Sequence, residues 1–142
     1  MNKNGFTLIE LLVTIAIIGI LSAVGILAYT GFIGGAKEKQ ATTGLSSIYL
    51  AQEEYRSMFG IYYQSSTSCS ASTNDSAAIN TNLFNGDSIL ETDNYGFCIS
   101  NLANTLTYQA NAYLSSSTAV LTITNTNLKR KSDDGSTWQN NW

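Results

Sequence analysis

The chain has 142 residues, enough for one domain with a modest hydrophobic core. Ten acidic residues against seven basic ones give a net charge of -3, which argues against a general nucleic-acid-binding domain, since such domains are normally basic. The sequence contains no histidine, so the commonest general base and the commonest metal ligand are both absent from it.

The N-terminal part divides into a short polar stretch and a long apolar one. Residues 1–5 carry one base, Lys3, and residues 6–36 keep Glu10 as their single charge before Lys37. About 20 consecutive apolar residues are enough for a helix to span a bilayer. A secretory signal peptide has a shorter apolar core with its cleavage site behind it, whereas here the small residue Gly5 precedes the run. Cleavage after that glycine would leave the membrane segment on the mature protein.

An amphipathic helical pattern follows, from Lys37 to Gly60. Apolar residues recur there at steps of three and four, which places them on one face of a helix. The residues of this face are Ala41, Leu45, Ile48, Ala51, Tyr55, Met58 and Tyr62. Polar residues such as Gln52 and Glu53 fall largely off it. We therefore predict one helix from Phe6 to nearly Gly60, with the glycine as its terminator.

The C-terminal half of the sequence predicts a polar loop followed by strands. Residues 64–94 are rich in Ser, Thr, Asn and Asp, with a short helix expected near Ala77–Leu83. Three segments then alternate with period two, which predicts an antiparallel meander. These segments are 95–100, 106–114 and 119–124. The tail from Leu128 to Trp138 contains an Asp134-Gly135 turn and is expected to add an edge strand or hairpin.

Together these elements predict an α+β fold, in which a long N-terminal helix packs on a small antiparallel sheet. The apolar face of the sheet needs a cover, and the amphipathic part of the helix supplies it. We expect three regions, namely a leader at 1–5, a transmembrane half of the helix at 6–36 and a globular domain at 37–142.

Cys69 and Cys98 are the two cysteines of the chain. In a chain with an export signal, a lone pair suggests one disulfide formed in an oxidising compartment, and a cytosolic thiol pair is the alternative. A disulfide closing a loop of this size would stabilise the fold by roughly 3–4 kcal/mol.

The segment GFTLIELLV at residues 5–13, with residues 14–23 after it, resembles the class III signal of type IV pilins and type II secretion pseudopilins. The resemblance implies a pilin fold, and a membrane-embedded prepilin peptidase that cuts between Gly5 and Phe6 and methylates the new Phe6 amine. It also implies that Glu10 neutralises the Phe6 ammonium of a neighbouring subunit in a filament. An assembly ATPase and a membrane platform protein would drive insertion.

The cost of burying a charge supports this role for Glu10 independently. A carboxylate at membrane depth costs about 2.5–3.5 kcal/mol on insertion scales, and an unpaired charge in a dry helical core costs more. An ammonium on a neighbouring subunit would give the carboxylate a partner. The alternative is that Glu10 lies in the headgroup zone at the start of a membrane helix.

One position departs from the family pattern. The family usually has a proline in the pattern Ala-Ile-Ala-Ile-Pro-Gln-Tyr, and the matching stretch here, 23–29, has Leu27 at that place. Because proline kinks a helix and removes a hydrogen bond, we expect a straighter helix in this chain. Whether the segment from Gly19 to Gly25 melts in a filament stays open.

The function implied is that of a structural subunit of a type IV pilus, used for adhesion, motility or DNA uptake. A pseudopilin of a type II secretion system and a minor tip pilin that binds a surface or DNA are the alternatives. The subunit would cross the inner membrane once before assembly and become extracellular afterwards, with identical subunits as partners. No enzyme activity and no cofactor are predicted.

Two smaller charge clusters have structural explanations. We interpret Lys129-Arg130-Lys131 as a charged edge strand that discourages edge pairing, with a contact to DNA phosphates as the alternative. Five acidic residues are possible oxygen ligands for calcium, but they form no compact run, and we predict no metal site. These residues are Asp87, Glu91, Asp93, Asp133 and Asp134.

Overall fold

A computed structural model of the chain describes residues 5–91, 93–102, 104–115 and 117–142, and the backbone but not the side chain of Leu27. Residues 1–4 of the predicted leader lie outside the described residues. The helices are α1 (Leu8–Phe59) and α2 (Ser76–Leu83). The strands are β1 (Tyr95–Asn101), β2 (Tyr108–Leu114), β3 (Val120–Thr124), β4 (Lys129–Ser132) and β5 (Gln139–Asn140). The predicted α+β class is confirmed.

The chain forms two compact units, Met1–Lys37 and Glu38–Trp142. In the first unit, every side chain that the structure describes between residues 8 and 32 is exposed. Helix α1 is long and apolar enough to cross a membrane, judged by length and composition. Its hydrogen-bonded turns continue unbroken from Gly19 to Gly25 and through the position of Leu27.

In the second unit, α1 covers a five-stranded antiparallel sheet of order β1-β2-β3-β4-β5. The small residues Ala110 and Ala112 of β2 lie between larger neighbours, and Ala112 pairs with Phe97 on one side and Leu121 on the other. Helix and sheet approach closely at Gly44, where a Cβ would lie 2.8 Å from the Phe97 ring. The predicted packing of helix on sheet is therefore confirmed, with small residues at the closest contact.

The predicted helix face is right in its first half and wrong towards its end. Ala41, Leu45 and Ile48 are fully buried, but Met58 is 64% exposed, whereas Gln52 is 0% exposed. At 100° per residue, Met58 lies about 120° around the helix from Gln52, so one side chain faces away from the core when the other faces it. The helix ends as predicted before Gly60, which takes the left-handed φ of +75°.

Two buried amide side chains hold the irregular segments of this unit. The Gln52 amide donates to the Tyr63 carbonyl at 2.8 Å and accepts from the Tyr63 N–H at 2.8 Å. In the same manner the Asn80 amide donates to the Leu90 carbonyl at 3.2 Å and accepts from the Leu90 N–H at 3.0 Å. Each amide satisfies both backbone groups of one residue, as a neighbouring strand would do.

The polar loop closes the outer edge of β1. The N–H groups of Asp75 and Ser65 donate to the carbonyls of Phe97 and Ile99, at 2.8 Å and 3.0 Å. In return the Phe97 N–H donates to the Ser76 hydroxyl at 3.1 Å, and the Ile99 N–H donates to the Ser65 hydroxyl at 2.9 Å. Because these backbone groups have partners, this edge offers little template for pairing with another chain.

The predicted disulfide fastens this loop to the strand whose edge it covers. Cys69 in the loop is bonded to Cys98 in β1, with their Cα atoms 5.8 Å apart. The crosslink therefore connects the least regular segment of the second unit to a strand at the edge of its sheet.

The C-terminal hairpin is also confirmed, although β5 begins just after Trp138. The Asp134 carboxylate accepts from the N–H groups of Ser136 at 2.9 Å and Thr137 at 2.7 Å. These bonds hold the pKa of Asp134 well below its usual value. The indole N–H of Trp142 donates to the Thr122 carbonyl at 3.1 Å and anchors the tail on β3.

Substitution of Gln52 by leucine should lower the free energy of unfolding by about 1–3 kcal/mol, because the N–H and C=O groups of Tyr63 would lose their partners. Urea denaturation of the detergent-solubilised full chain measures the change. Gln64→Leu is the matched control, since Gln64 is half-buried and its amide donates a hydrogen bond to the carbonyl of the nearby Ser66 at 2.7 Å. Equal effects of the two substitutions would contradict the role given to Gln52.

Removal of the disulfide by Cys69→Ser/Cys98→Ser should lower stability by about 3–4 kcal/mol and make the loop at residues 64–75 more sensitive to proteolysis. Urea denaturation and limited proteolysis measure the two effects. The reduced wild-type chain is the control and should behave like the double variant. An unchanged cleavage rate in the loop would show that its hydrogen bonds to β1 suffice without the crosslink.

Candidate assembly site at the start of helix α1

The first turn of α1 contains a reciprocal hydrogen-bond pair between Thr7 and Glu10. The Thr7 N–H and hydroxyl both donate to Glu10 Oε2, at 2.8 Å and 2.7 Å. The Glu10 N–H in turn donates to the Thr7 hydroxyl at 3.3 Å. This is a capping box, which satisfies N–H groups that have no partner within the helix.

The sequence-based prediction for Glu10 considered only its charge and missed its role in capping the helix. The Thr-x-x-Glu spacing at residues 7–10 is the signature of a capping box, so the signal was present. One carboxylate oxygen of Glu10 is engaged by Thr7, while no hydrogen bond or ion pair of Oε1 occurs within the described ranges. The capping box therefore leaves one oxygen of this carboxylate available to another group.

Gly5 and Phe6 lie before the helix, in backbone without regular structure. The Phe6 side chain is 85% exposed, and a Cβ on Gly5 would meet no atom within 4 Å. Exposed, irregular backbone is the kind of segment that proteases attack. The bond between these two residues is thus accessible, and the capping box begins one residue beyond it.

The basic cluster of β4 is used mainly within the fold. The ammonium of Lys131 pairs with Glu38 at 2.8 Å, which raises the pKa of this lysine. The Lys129 ammonium lies 4.7 Å from the centre of the Trp142 ring, a cation–π contact. Two of the three cations therefore have partners in the chain. The prediction of an edge strand is wrong, because β4 lies between β3 and β5 and pairs with both.

The candidate calcium ligands do not form a metal site among the residues that the structure describes. No group of three or more His, Cys, Asp or Glu side chains comes together there. Asp134 uses its carboxylate to cap the C-terminal turn, and Glu91 accepts a hydrogen bond from Gln40.

Comparison with known proteins finds relatives of the N-terminal segment. A family model described as the prokaryotic N-terminal methylation motif matches residues 1–26. The type IV major pilin protein PilA of Myxococcus xanthus is 45% identical over 54 residues, which are 38% of this chain and 24% of the relative. In its N-terminal region, the chain is similar to type IV major pilins.

Two further relatives show the same similarity. The type IV major pilin protein PilE of Neisseria gonorrhoeae is 36% identical over 74 residues, 52% of this chain and 44% of the relative. A fimbrial protein of Moraxella nonliquefaciens is 51% identical over 41 residues, 29% of this chain and 27% of the relative. The chain thus matches less than half of the length of each of these pilins. No solved structure matches it.

Loss of the Thr7 hydroxyl in Thr7→Ala should weaken the first turn of α1 by about 1 kcal/mol, which is about fivefold in the opening equilibrium. Amide hydrogen exchange of Glu10, followed by NMR in detergent micelles, should accelerate accordingly. Thr7→Ser keeps the hydroxyl and should exchange as the wild type does. Equal exchange in all three proteins would show that the hydroxyl does not cap the helix.

Proposed function

We propose that the chain is a structural subunit of a type IV pilus and polymerises through its N-terminal helix. The observation that carries the proposal is the surface of α1 between residues 8 and 32, where the described side chains are exposed and Glu10 is the only charge. Water is a poor solvent for such a surface, whereas a bilayer or a bundle of identical helices covers it. The relatives that match this region are named as major pilins or a fimbrial protein.

The maturation step that we propose is cleavage between Gly5 and Phe6 by a prepilin peptidase, followed by methylation of the Phe6 amine. This removes the leader at 1–5 and leaves residues 6–36 as the membrane and filament-core region, with 37–142 as the globular domain. The match of residues 1–26 to a methylation motif supports this step. Cleavage leaves the capping box intact, because Thr7 and Glu10 both lie after the cut.

The assembly step that we propose joins the Phe6 ammonium of one subunit to Glu10 of its neighbour. Thr7 keeps Oε2 of Glu10 engaged, so Oε1 is the atom that would accept the ammonium. The pairing removes an otherwise unpaired charge from an apolar surrounding. Helices in the wrong register would leave both charges without partners, so the pair would select one register during assembly.

The destination of the assembled subunit is the cell exterior, after a single-pass stage in the inner membrane. A disulfide and a covered sheet edge suit a protein that works in an oxidising environment at high local concentration. An assembly ATPase and a membrane platform would drive insertion, and adhesion, motility or DNA uptake would be the role of the filament. The names of the relatives favour a pilus over the pseudopilus of a type II secretion system, and a secretion-gene neighbourhood would reverse this preference.

Substitution of Glu10 by valine should abolish filament formation and leave cleavage after Gly5 intact. The amount of subunit in sheared filaments measures assembly, and the mass of the cell-associated subunit measures processing. Glu10→Gln separates the two roles of this residue, because glutamine also completes a capping box but carries no charge. We expect this variant to fail in assembly as well. Normal filaments from Glu10→Gln would show that capping, and not charge pairing, is what Glu10 contributes.

A further inference from the structure

The last turns of α1 and the end of α2 enclose a groove of about 390 Å³. On the α1 side its walls include Glu54, Tyr55, Met58 and Phe59. Met58 is 64% exposed and Phe59 61% exposed, while the rings of Tyr55 and Phe59 lie with their centres 4.4 Å apart. The groove therefore offers apolar and aromatic surface to water, with a carboxylate among its lining groups.

This combination suits one kind of occupant, a long side chain with an apolar stem and a cationic end. Lysine and arginine bury their methylene groups along apolar surface and keep the charge at a polar partner. Aromatic rings add attraction for the cation. Glu54 has no ion pair and no side-chain hydrogen bond within the described part of the chain, so its charge is available to such a partner.

Most cations of the second unit have partners of their own. Lys129 contacts the Trp142 ring, Lys131 pairs with Glu38, and Arg56 donates to the Tyr62 hydroxyl at 3.0 Å. The other two cations, Lys39 and Arg130, are exposed, and their side chains form no ion pair, hydrogen bond or ring contact among the residues described. Of these two, Lys39 lies on α1 itself.

Lys39 cannot reach the groove of its own chain. Lys39 and Glu54 are separated by 15 positions along an unbroken helix, which corresponds to about 22 Å at 1.5 Å per residue. They nevertheless lie within about 60° of each other around the helix at 100° per residue. A second copy with its helix parallel to the first would bring the two charges together if it is displaced by about this length along the axis and rotated about that axis so that its same face points back at the first helix.

We propose that the groove at the end of α1 binds the Lys39 side chain of a second copy of this chain. The proposal rests on the proposed pilus function, because subunits that leave one membrane in the same orientation have parallel helices. The two surfaces are different patches of one chain, so the contact is heterologous. Contacts of this kind propagate into open filaments unless the rotation closes a ring.

The exposed surface between the two sites is compatible with a close helix contact. Its exposed residues on α1, Thr43 and Leu50, are uncharged. Glu53 is half-buried and accepts the Tyr62 hydroxyl at 2.8 Å, so it is not a competing free acid. The same helix continues from the apolar segment that we propose as the filament core, which makes this contact an extension of that interface.

A zero-length crosslink in wild-type filaments tests the contact directly. A water-soluble carbodiimide joins a carboxylate to an amine as an amide and takes up the released water as a urea. Peptide mapping of treated, sheared filaments should find an amide between Lys39 and Glu54. A crosslink over about 22 Å within one straight helix is impossible, so this product must join two copies. Glu54→Gln should remove it.

Charge reversal gives the independent variant test. Lys39→Glu and Glu54→Lys should each reduce the yield of sheared filaments, and the double variant Lys39→Glu/Glu54→Lys should restore it. Asp87→Lys makes the same change in charge as Glu54→Lys, but at another exposed site. It is the control and should assemble normally.

Failure of this inference differs from failure of the proposed function. Wild-type filaments in which Glu54 is joined only to amines other than Lys39, or in which Lys39 is joined only to acids other than Glu54, would overturn the contact, and the pilus function would stand. The same holds if the double variant assembles no better than the single ones while the Asp87→Lys control forms filaments. A wild-type chain that forms no filament would overturn the proposed function itself.

Discussion

The exposed apolar surface of the first half of α1 is the constraint on which the rest of this protein depends. Exposing a helix that is apolar on all sides to water is unfavourable, so such a helix needs a bilayer or other helices around it. In this chain no charge interrupts that surface between Glu10 and Lys37. In our proposal, membrane insertion and self-assembly would satisfy the same physical requirement in succession.

Glu10 is the charged residue on that otherwise apolar surface, and its two carboxylate oxygens have different roles. Oε2 belongs to the capping box with Thr7 and stabilises the start of the helix. Oε1 remains for the ammonium of a neighbour in our proposal. An apolar residue at this position would remove the cost of a charge in the membrane. It would also remove the carboxylate half of the capping box and, in our proposal, the group that distinguishes correct from incorrect register.

The second unit shows how a small domain with a long polar loop keeps a defined structure. Hydroxyl and amide side chains take the place of missing strand partners: Gln52 does so for Tyr63, Asn80 for Leu90, and Ser65 for Ile99. Such buried polar groups are stabilising only when their partners are in place. The Cys69–Cys98 disulfide keeps the loop near those partners, so covalent and hydrogen-bonded constraints act on the same segment.

The sequence alone determined the elements of this fold, because the signals for them are local. The uncharged run, the steps of three and four residues, the period-two segments and Gly60 each act over a few neighbouring positions. The tertiary structure decided which polar side chains are buried. Nothing local marks Gln52 as a core residue or Met58 as an exposed one, since both depend on where the segment around Tyr63 and helix α2 come to lie. The pairing of Lys131 with Glu38 likewise joins residues 93 positions apart, and only the folded chain brings them together.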